Sequence, residues 1–301
     1  MKTIKEYVCE NYSPKSAMGY VGMIKRYLGY VGETSITASY TDVLNYIAYL
    51  RKKGLHPRSL AHHLFTVKIY YHYLLSVGLR QDHPCRNMLL KDRINKRIPV
   101  ENLYSKSALE ELLINHKSKE ELFQRRDEIL IGLLIYQAMN VQEIVALNIE
   151  DINLKEATIK ASGGYRQKSR SLSLRANQIL LLHEYLSSDR EKIQKDRNIN
   201  SDDKRALLVE DSGKRLPHNF INKVINENRE KNKKLLPMKI RQSVILHLLK
   251  EKHNLRIVQV FSGHRRSGST EQYKQTSLED LKEVIQNLHP LEVRSGAPTG
   301  N

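Results

Sequence analysis

Three residues near the end of the chain have side chains suited to chemistry on an anionic group. Arg241 ends the segment PMKIR, His264 ends the segment SGH, and Tyr273 follows nine residues later. A guanidinium binds anions with paired hydrogen bonds, and an imidazole donates or accepts a proton near neutral pH. A phenol becomes a nucleophile once its proton is removed. Whether these groups act together depends on the elements that position them.

The net charge identifies the kind of partner that the chain prefers. Lys and Arg total 50 against 33 Asp and Glu, which gives a formal charge of +17 and a pI near 9.7. Such an excess favours a polyanion. No segment approaches the roughly 18 uninterrupted apolar residues of a membrane-spanning helix, and no signal peptide is recognisable at the start. We therefore expect a cytoplasmic protein that binds nucleic acid and does not bind membranes.

The sequence predicts neither a cofactor nor a metal site. Cys9 and Cys85 are the two cysteines, and they form no C-x-x-C pair. A G-x-x-x-x-G-K-[ST] loop, which cradles nucleotide phosphates, is absent from the sequence. Any reaction on DNA would therefore proceed without nucleotide hydrolysis.

Residues 1–88 are predicted to form a helical, DNA-binding domain. Apolar residues recur at helical spacing from Ser13 to Val31, from about Tyr40 to Lys53, and from Leu60 to Leu74 before Gly78. The candidate DNA-binding residues of this domain are Lys25, Arg26, Lys52, Lys53 and Arg58. The alternative is that these charges only form the solvated faces of helices.

Residues 89–104 are predicted to form a linker, because they are polar, lack sustained periodicity and include Pro99. Lys96 and Arg97 within it are further candidates for phosphate contact. An ordinary surface connection would have the same composition.

Residues 105–301 are predicted to form a second domain. A helix starts after Ser105, and a strongly apolar helical stretch runs from Arg126 to Leu147. Three alternating segments, residues 149–154, 157–161 and 171–174, indicate short strands, and helices are predicted near 217–230 and 238–252. The fold class is thus mainly α with a small antiparallel β-sheet in the C-terminal domain.

The order of these segments and several short motifs resemble the tyrosine recombinase and phage integrase family. Arg241, the SGH turn and Tyr273 resemble the family's second arginine, its L-G-H turn and its nucleophile. Further matches are RD at 126–127, EIVAL at 143–147 and KSR at 168–170. The resemblance covers nearly the whole chain and implies a two-domain clamp on double-stranded DNA.

The resemblance also implies a reaction and a set of catalytic residues. In this family a tyrosine attacks a DNA phosphate and forms a 3′-phosphotyrosyl link, which the 5′-hydroxyl of another strand later reverses. Carried over to this chain, Tyr273 is the nucleophile, Arg241 holds a phosphate oxygen, and His264 donates a hydrogen bond or shuttles a proton. Lys168 is the candidate for the lysine of the β-hairpin.

The chain departs from the family pattern at two catalytic positions. Asn140 stands at the place of the first arginine, and Met238 stands where a histidine precedes the second. Counting back from KSR places Tyr165 at the position of the hairpin lysine, so Lys168, Arg166 or Lys160 would have to supply the charge. Lys239, Arg265 and Arg266 are other candidates to compensate, and Arg166 and Lys239 are also candidate DNA contacts.

Two functions are therefore expected as alternatives. The first is site-specific DNA recombination or integration, as in a mobile element, through Tyr273, with weak or partner-dependent activity. The second is a catalytically impaired relative that acts as a DNA-binding architectural or regulatory subunit. The resemblance also predicts that a helix at 277–288 joins neighbouring copies on DNA, with a second recombinase as an alternative partner.

Overall fold

The computed structural model describes residues 2–92, 98–164, 167–195 and 197–273 of the chain. The chain divides into two compact units, residues 1–96 and 97–301, and the division falls inside the segment predicted as a linker. Both units are built mainly of helices, and the second contains one small antiparallel sheet.

The first unit packs four helices around a tyrosine-rich core. They are α1 Ile4–Asn11, α2 Pro14–Val31, α3 Tyr40–Lys52 and α4 Pro57–Ser76. The hydroxyls of Tyr27 and Tyr71 lie 2.6 Å apart inside this core. The three predicted helices are confirmed, whereas α1 was not predicted. Its start is fixed by a capping box in which Thr3 and Glu6 bond each other's backbone N–H groups.

The second unit packs its helices around α6, which is buried over most of its length. Its helices are α5 Lys106–Ile114, α6 Glu121–Ile135, α7 Val141–Ala146, α8 Ala176–Glu184, α9 Arg190–Gln194, α10 Ser201–Arg205, α11 His218–Ile225, α12 Pro237–Lys250, α13 Leu255–Ser262 and α14 Gly268–Glu271. A π-helical turn, Tyr185–Asp189, joins α8 to α9. Short 3₁₀ turns are Gly32–Ser35 in the first unit and Val100–Asn102, Ile149–Asp151 and Lys231–Lys233 in the second.

The sheet has three antiparallel strands in the order β1-β2-β3, namely β1 Ile152–Asn153, β2 Thr158–Ala161 and β3 Arg170–Ser173. Ile159 pairs with Leu172, and Ala161 pairs with Arg170, so these four residues share the buried face. The first predicted strand, 149–154, is too long: residues 149–151 form a 3₁₀ turn capped by Asn148.

The single helix predicted from Arg126 to Leu147 is wrong. Helix α6 ends at Ile135, and α7 begins only at Val141. Ala138 lies between them in a left-handed conformation, with φ 46°. Farther along, α11 stops at Ile225 rather than at residue 230, and α13 was not predicted as a separate helix.

Part of the predicted linker packs on the second unit. Ile98 is buried in a small cluster with Ile245, Val258 and Tyr273. The backbone N–H of Tyr104 donates to Ser243 Oγ at 2.8 Å. Residues 98–104 therefore form part of the surroundings of Tyr273.

Among the helices of the described ranges, none combines the length and the apolar character that a bilayer crossing requires. The helix predicted at 277–288 lies outside the described residues.

Candidate active site

The break between α6 and α7 turns a carboxylate into the interior of the second unit. Asn140 is the N-cap of α7: its Oδ1 accepts from the Glu143 N–H, and Glu143 Oε2 accepts from the Asn140 N–H, both at 2.9 Å. This capping box fixes the backbone entry into α7 and the direction of Glu143. The Glu143 side chain is 4 % exposed.

Two buried arginines share this carboxylate. Arg170 Nη1 lies 2.5 Å from Glu143 Oε1, and its Nη2 lies 3.3 Å from Oε2. Arg241 Nη1 lies 3.6 Å from Oε2. Each arginine side chain is 4 % exposed. Since a buried charge is tolerated only when it is paired, the two guanidinium groups depend on Glu143.

Helix α12 carries Arg241 into this cluster, and two backbone carbonyls complete its bonding. Arg241 donates to the carbonyl oxygens of Ala138 and Ser262. The left-handed Ala138 thus aims its carbonyl at the guanidinium. Burial lowers the pKa of Arg241 and Glu143 counteracts this, but an arginine stays protonated in proteins.

The SGH turn places His264 beside the same arginines. Helix α13 ends at Ser262, and Gly263 takes a left-handed conformation with φ 70°. A Cβ at Gly263 would lie 2.6 Å from Arg170 Nη1, so the turn accommodates only glycine against the guanidinium. The Lys168 N–H donates to the Gly263 carbonyl at 2.8 Å, which attaches the β2–β3 hairpin to the turn.

The rings of His264 and Tyr273 stack, with centroids 6.5 Å apart and an interplanar angle of 16°. Thr270 Oγ1 lies 2.9 Å from His264 Nδ1 and so restrains the imidazole. Tyr273 follows α14 directly and is 6 % exposed. Arg241, His264 and Tyr273 therefore lie in one part of the second unit.

Burial sets the protonation of the two stacked rings. It lowers the pKa of His264 to about 4, and the charges of Arg241 and Arg170 act in the same direction. Burial raises the pKa of Tyr273 to about 12, against the opposing effect of Arg241. At neutral pH the imidazole is therefore uncharged and the phenol is protonated.

The low pKa of His264 predicts that acid destabilises the second unit. Because the unfolded chain takes up this proton near pH 6.5 and the folded chain only near pH 4, stability falls as pH drops through that interval. Between pH 7 and pH 4.5 the free energy of unfolding should fall by about 2 kcal/mol more in the wild type than in His264→Gln. Urea unfolding at both pH values measures the difference; equal losses in the two proteins would contradict the assignment.

The remaining catalytic candidates lie around this constellation in less enclosed positions. Lys168 is exposed on the hairpin, and Lys239 is half-buried on α12. Met238, at the family's histidine position, is 63 % exposed. Asn140 Nδ2 donates to Gln167 Oε1 at 2.6 Å, so its amide contacts the hairpin and brings no charge.

The DNA-binding candidates of the first unit lie on its surface. Lys25 and Arg26 are exposed on α2, Lys52 ends α3, Lys53 follows it, and Arg58 lies in the first turn of α4. Lys53 Nζ also lies 4.5 Å from the centroid of the Tyr49 ring. The candidates Lys96, Arg97 and Arg166 lie outside the described residues.

Sequence reasoning missed Arg170 and Glu143 as members of the site, although both stand in the quoted motifs. A usable signal was the alternation in β3, because Arg170 shares a face with the apolar residue Leu172. A charge on an apolar strand face needs a buried partner. The capping pattern from Asn140 to Glu143 identifies the other half of the pair.

Comparison with known proteins supports the fold of both units. The model of the phage integrase family matches residues 104–279, and that of the phage integrase N-terminal SAM-like domain matches residues 5–78. A tyrosine recombinase XerC of Pelotomaculum thermopropionicum is 28% identical over 252 residues, covering 82% of this chain and 79% of the relative. A tyrosine recombinase XerD of Listeria innocua is 25% identical and covers 84% of each chain.

Two solved structures share the fold. The Tn1549 transposon integrase in complex with a circular intermediate DNA has a TM-score of 0.64 at 14% identity and covers 96% of this chain and 100% of its own. The XerH site-specific recombinase bound to its difH substrate has a TM-score of 0.60 at 21% identity. The match covers 83% of this chain and 70% of the XerH chain. Since the family model spans more than half of the sequence, this chain belongs to the phage integrase family, the family of the tyrosine recombinases.

Proposed function

We propose that this chain binds double-stranded DNA and serves site-specific recombination, with Tyr273 as the nucleophile. The observation that carries the proposal is the constellation in which Arg241 pairs with the buried Glu143 and His264 stacks on Tyr273. The family membership and the recombinases among the relatives support the same process. The excess of positive charge suits a phosphate backbone.

The proposed reaction is a transesterification at a DNA phosphate. The Tyr273 hydroxyl gives up its proton as its oxygen forms a bond to phosphorus. The bond from phosphorus to the 5′ oxygen breaks, and that oxygen takes up a proton and leaves as a 5′-hydroxyl. Attack by a 5′-hydroxyl from another strand reverses the step and frees Tyr273. The number of phosphoester bonds is conserved throughout, so no nucleotide is consumed.

The described residues provide several of the functions that this reaction needs. Arg241 supplies a fixed positive charge for the pentavalent transition state. His264 is neutral at pH 7 and can donate a hydrogen bond or transfer a proton. Arg170 adds positive charge beside His264 and helps to lower its pKa, although its guanidinium is bonded to Glu143 and to the Phe261 carbonyl.

The burial of Tyr273 imposes one requirement on the proposed reaction. With a side chain that is 6 % exposed and a phenol pKa of about 12, Tyr273 must be uncovered and must lose its proton in contact with DNA. Lys168 on the hairpin and Lys239 on α12 are the proposed additional cations at that stage. Lys25, Arg26, Lys52, Lys53 and Arg58 are the proposed backbone contacts of the first unit, as are Lys96, Arg97 and Arg166 elsewhere in the chain.

A covalent-trapping assay tests the proposed function. The full chain is incubated with nicked duplexes from the DNA that flanks its own gene, so that the cleaved end diffuses away and the adduct accumulates. A protein–DNA species that survives denaturation supports cleavage. If no such species forms, even after partner recombinases are added, the catalytic role of this chain is refuted.

A second candidate function rests on Asn140. The side chain at this position is neutral and is bonded to Gln167 and to the N-terminus of α7. A chain that lacks this cation could keep DNA binding and act as an architectural or regulatory subunit. Assembly of several copies, through a helix at 277–288 or with a second recombinase, is a further part of this proposal.

Introducing the missing cation separates the two functions. If the charge at position 140 limits the reaction, Asn140→Arg should raise the rate of adduct formation about a hundredfold, the typical weight of one transition-state contact. Asn140→Gln is the neutral control of comparable shape; it loses the same cap, which typically costs about 1 kcal/mol. A rate in Asn140→Arg no higher than in Asn140→Gln would show that charge at this position is not limiting.

A further inference from the structure

Outside the candidate active site, three side chains with metal-binding atoms converge in the second unit. They are His116, between α5 and α6, Asp127 on α6, and Glu227, just after α11. One ligand atom from each lies within 4.8 Å of the others. One imidazole nitrogen and two carboxylate oxygens make up a common ligand set for divalent transition metals.

Hydrogen bonds fix the segments that carry these ligands before any ion arrives. Gln124 Nε2 donates to the His116 carbonyl at 3.0 Å, and Gln124 Oε1 accepts from the Ser118 N–H at 2.8 Å. Asn228 Nδ2 donates to the Lys117 carbonyl at 2.9 Å. The loop before α6 and the turn after α11 are thus joined next to the three ligands, which lowers the entropic cost of binding an ion.

The Asp127 carboxylate is oriented with one oxygen toward the cluster. Its Oδ1 accepts from Arg126 Nε at 2.8 Å, and its Oδ2 lies 3.6 Å from His116 Nε2. Oδ2 also accepts from Ser118 Oγ at 2.6 Å. An ion between Oδ2 and His116 Nε2 would displace the Ser118 hydroxyl, which lies 2.6 Å from the former and 3.3 Å from the latter, while Arg126 would continue to hold the other oxygen. Outer contacts of this kind hold metal ligands in place.

Glu227 supplies the observation that indicates a ligand. Its side chain is 10 % exposed, and no hydrogen bond from a described residue reaches its carboxylate. The cation nearest to it in the described ranges is Lys119, whose Nζ lies 4.0 Å away on a side chain that is 72 % exposed. A carboxylate that is 10 % exposed and has this solvent-exposed lysine as its nearest cation would be stabilised by a closer cation.

Space for an ion and its water molecules adjoins the three ligands. One cavity of about 280 Å³ is lined by His116 and Glu227, and a second of about 40 Å³ is lined by Ser118, Asp127 and Glu227. Glu227 lines both cavities. A polar space of this size accommodates ordered water.

We infer that His116, Asp127 and Glu227 bind one divalent transition-metal ion, and that Zn²⁺ suits this ligand set. The ion would tie α6 to the turn after α11, at the start of the segment that leads to α12 and Arg241. Its role would be structural, since the three ligands are distinct from the constellation of Tyr273. The inference does not rest on the proposed recombination activity.

Metal titration of the intact, full-length chain tests the inference. The protein is treated with EDTA, and the EDTA is then removed. Binding of added Zn²⁺ is measured by calorimetry and by the change in melting temperature. Binding of Co²⁺ is measured in a separate titration by its visible absorption. We expect one ion per chain, and a rise of about 5 to 10 °C in Tm when Zn²⁺ reaches about 100 times its Kd. Glu227→Gln and His116→Gln should each weaken binding at least tenfold.

Matched controls separate this site from adventitious binding. His253→Gln removes an exposed histidine whose Nε2 lies 3.5 Å from a Glu251 carboxylate oxygen, and it should leave the Zn²⁺ affinity unchanged. Circular dichroism verifies that each variant is folded. If one of the two ligand variants does not fold, the other alone is sufficient to test the site. The absence of saturable binding by the wild type would overturn the inference, as would equal affinity in wild type and both ligand variants.

Discussion

Tyr273→Phe should abolish the covalent protein–DNA adduct and leave the fold intact. Phenylalanine keeps the ring that stacks on His264 and packs with Ile98 and Val258, and it removes only the oxygen that would bond to phosphorus. No described residue forms a hydrogen bond to this hydroxyl, so the substitution breaks no hydrogen bond within the described part of the chain. Adduct formation should drop to background on denaturing gels, while the melting temperature stays within about 2 °C of the wild type.

The matched control for this variant is Tyr136→Phe. Tyr136 is a half-buried tyrosine that follows α6 in the same unit, and the Arg175 guanidinium lies 4.0 Å from its ring centroid. Tyr136→Phe also removes one phenolic oxygen, and this variant should still form the adduct. Persistence of the adduct in Tyr273→Phe would assign the nucleophile to another residue. Loss of DNA binding in Tyr273→Phe would instead indicate a structural role for the phenol.

Glu143→Gln should destabilise the second unit by about 3 to 5 kcal/mol, which is the usual cost of leaving a buried charge unpaired. The substitution conserves shape but removes the anion that Arg170 and Arg241 share. It also places an amide N–H₂ group among guanidinium donors. Amide hydrogen exchange, followed by mass spectrometry on peptides from α6, α7 and α12, measures the loss within this unit.

Glu110→Gln provides the control for Glu143→Gln. Glu110 is an exposed carboxylate on α5, and its neutralisation should change the free energy of unfolding by less than about 0.5 kcal/mol. If Glu143→Gln exchanged like the wild type, the two arginines would not need the carboxylate. The shared-anion interpretation of the site would then be wrong.

The sequence predicted best those elements whose apolar residues follow a clear helical period. Helices α2 and α3 were placed within one residue and α4 within three, since each has an uninterrupted apolar stripe and a glycine soon after its end. The long helix at 126–147 was predicted wrongly for a related reason. Apolar residues continue across the break at residues 136–140, so the helical periodicity gives no sign of the break. The capping pattern from Asn140 to Glu143 marks the restart.

The candidate site was predictable as a list of residues but not as a network. Motif spacing identified Arg241, His264 and Tyr273 as partners. The distances that decide their chemistry depend on Glu143 and Arg170, which approach through separate elements. Likewise, Glu227 lies far from His116 and Asp127 in the sequence, and the three show no metal-ligand spacing, because α6 and the turn after α11 meet only in the folded unit.

The left-handed Gly263 constrains the order in which amino-acid substitutions can accumulate at this site. A Cβ there would meet the Arg170 guanidinium at 2.6 Å, and the φ of 70° strains any side chain besides, so a substitution at position 263 requires at least a smaller residue at position 170. Shortening Arg170 first leaves Glu143 with one fewer cation and opens space beside the turn. The two positions are therefore epistatic: in a randomised library, variants at 263 should survive only in combination with variants at 170.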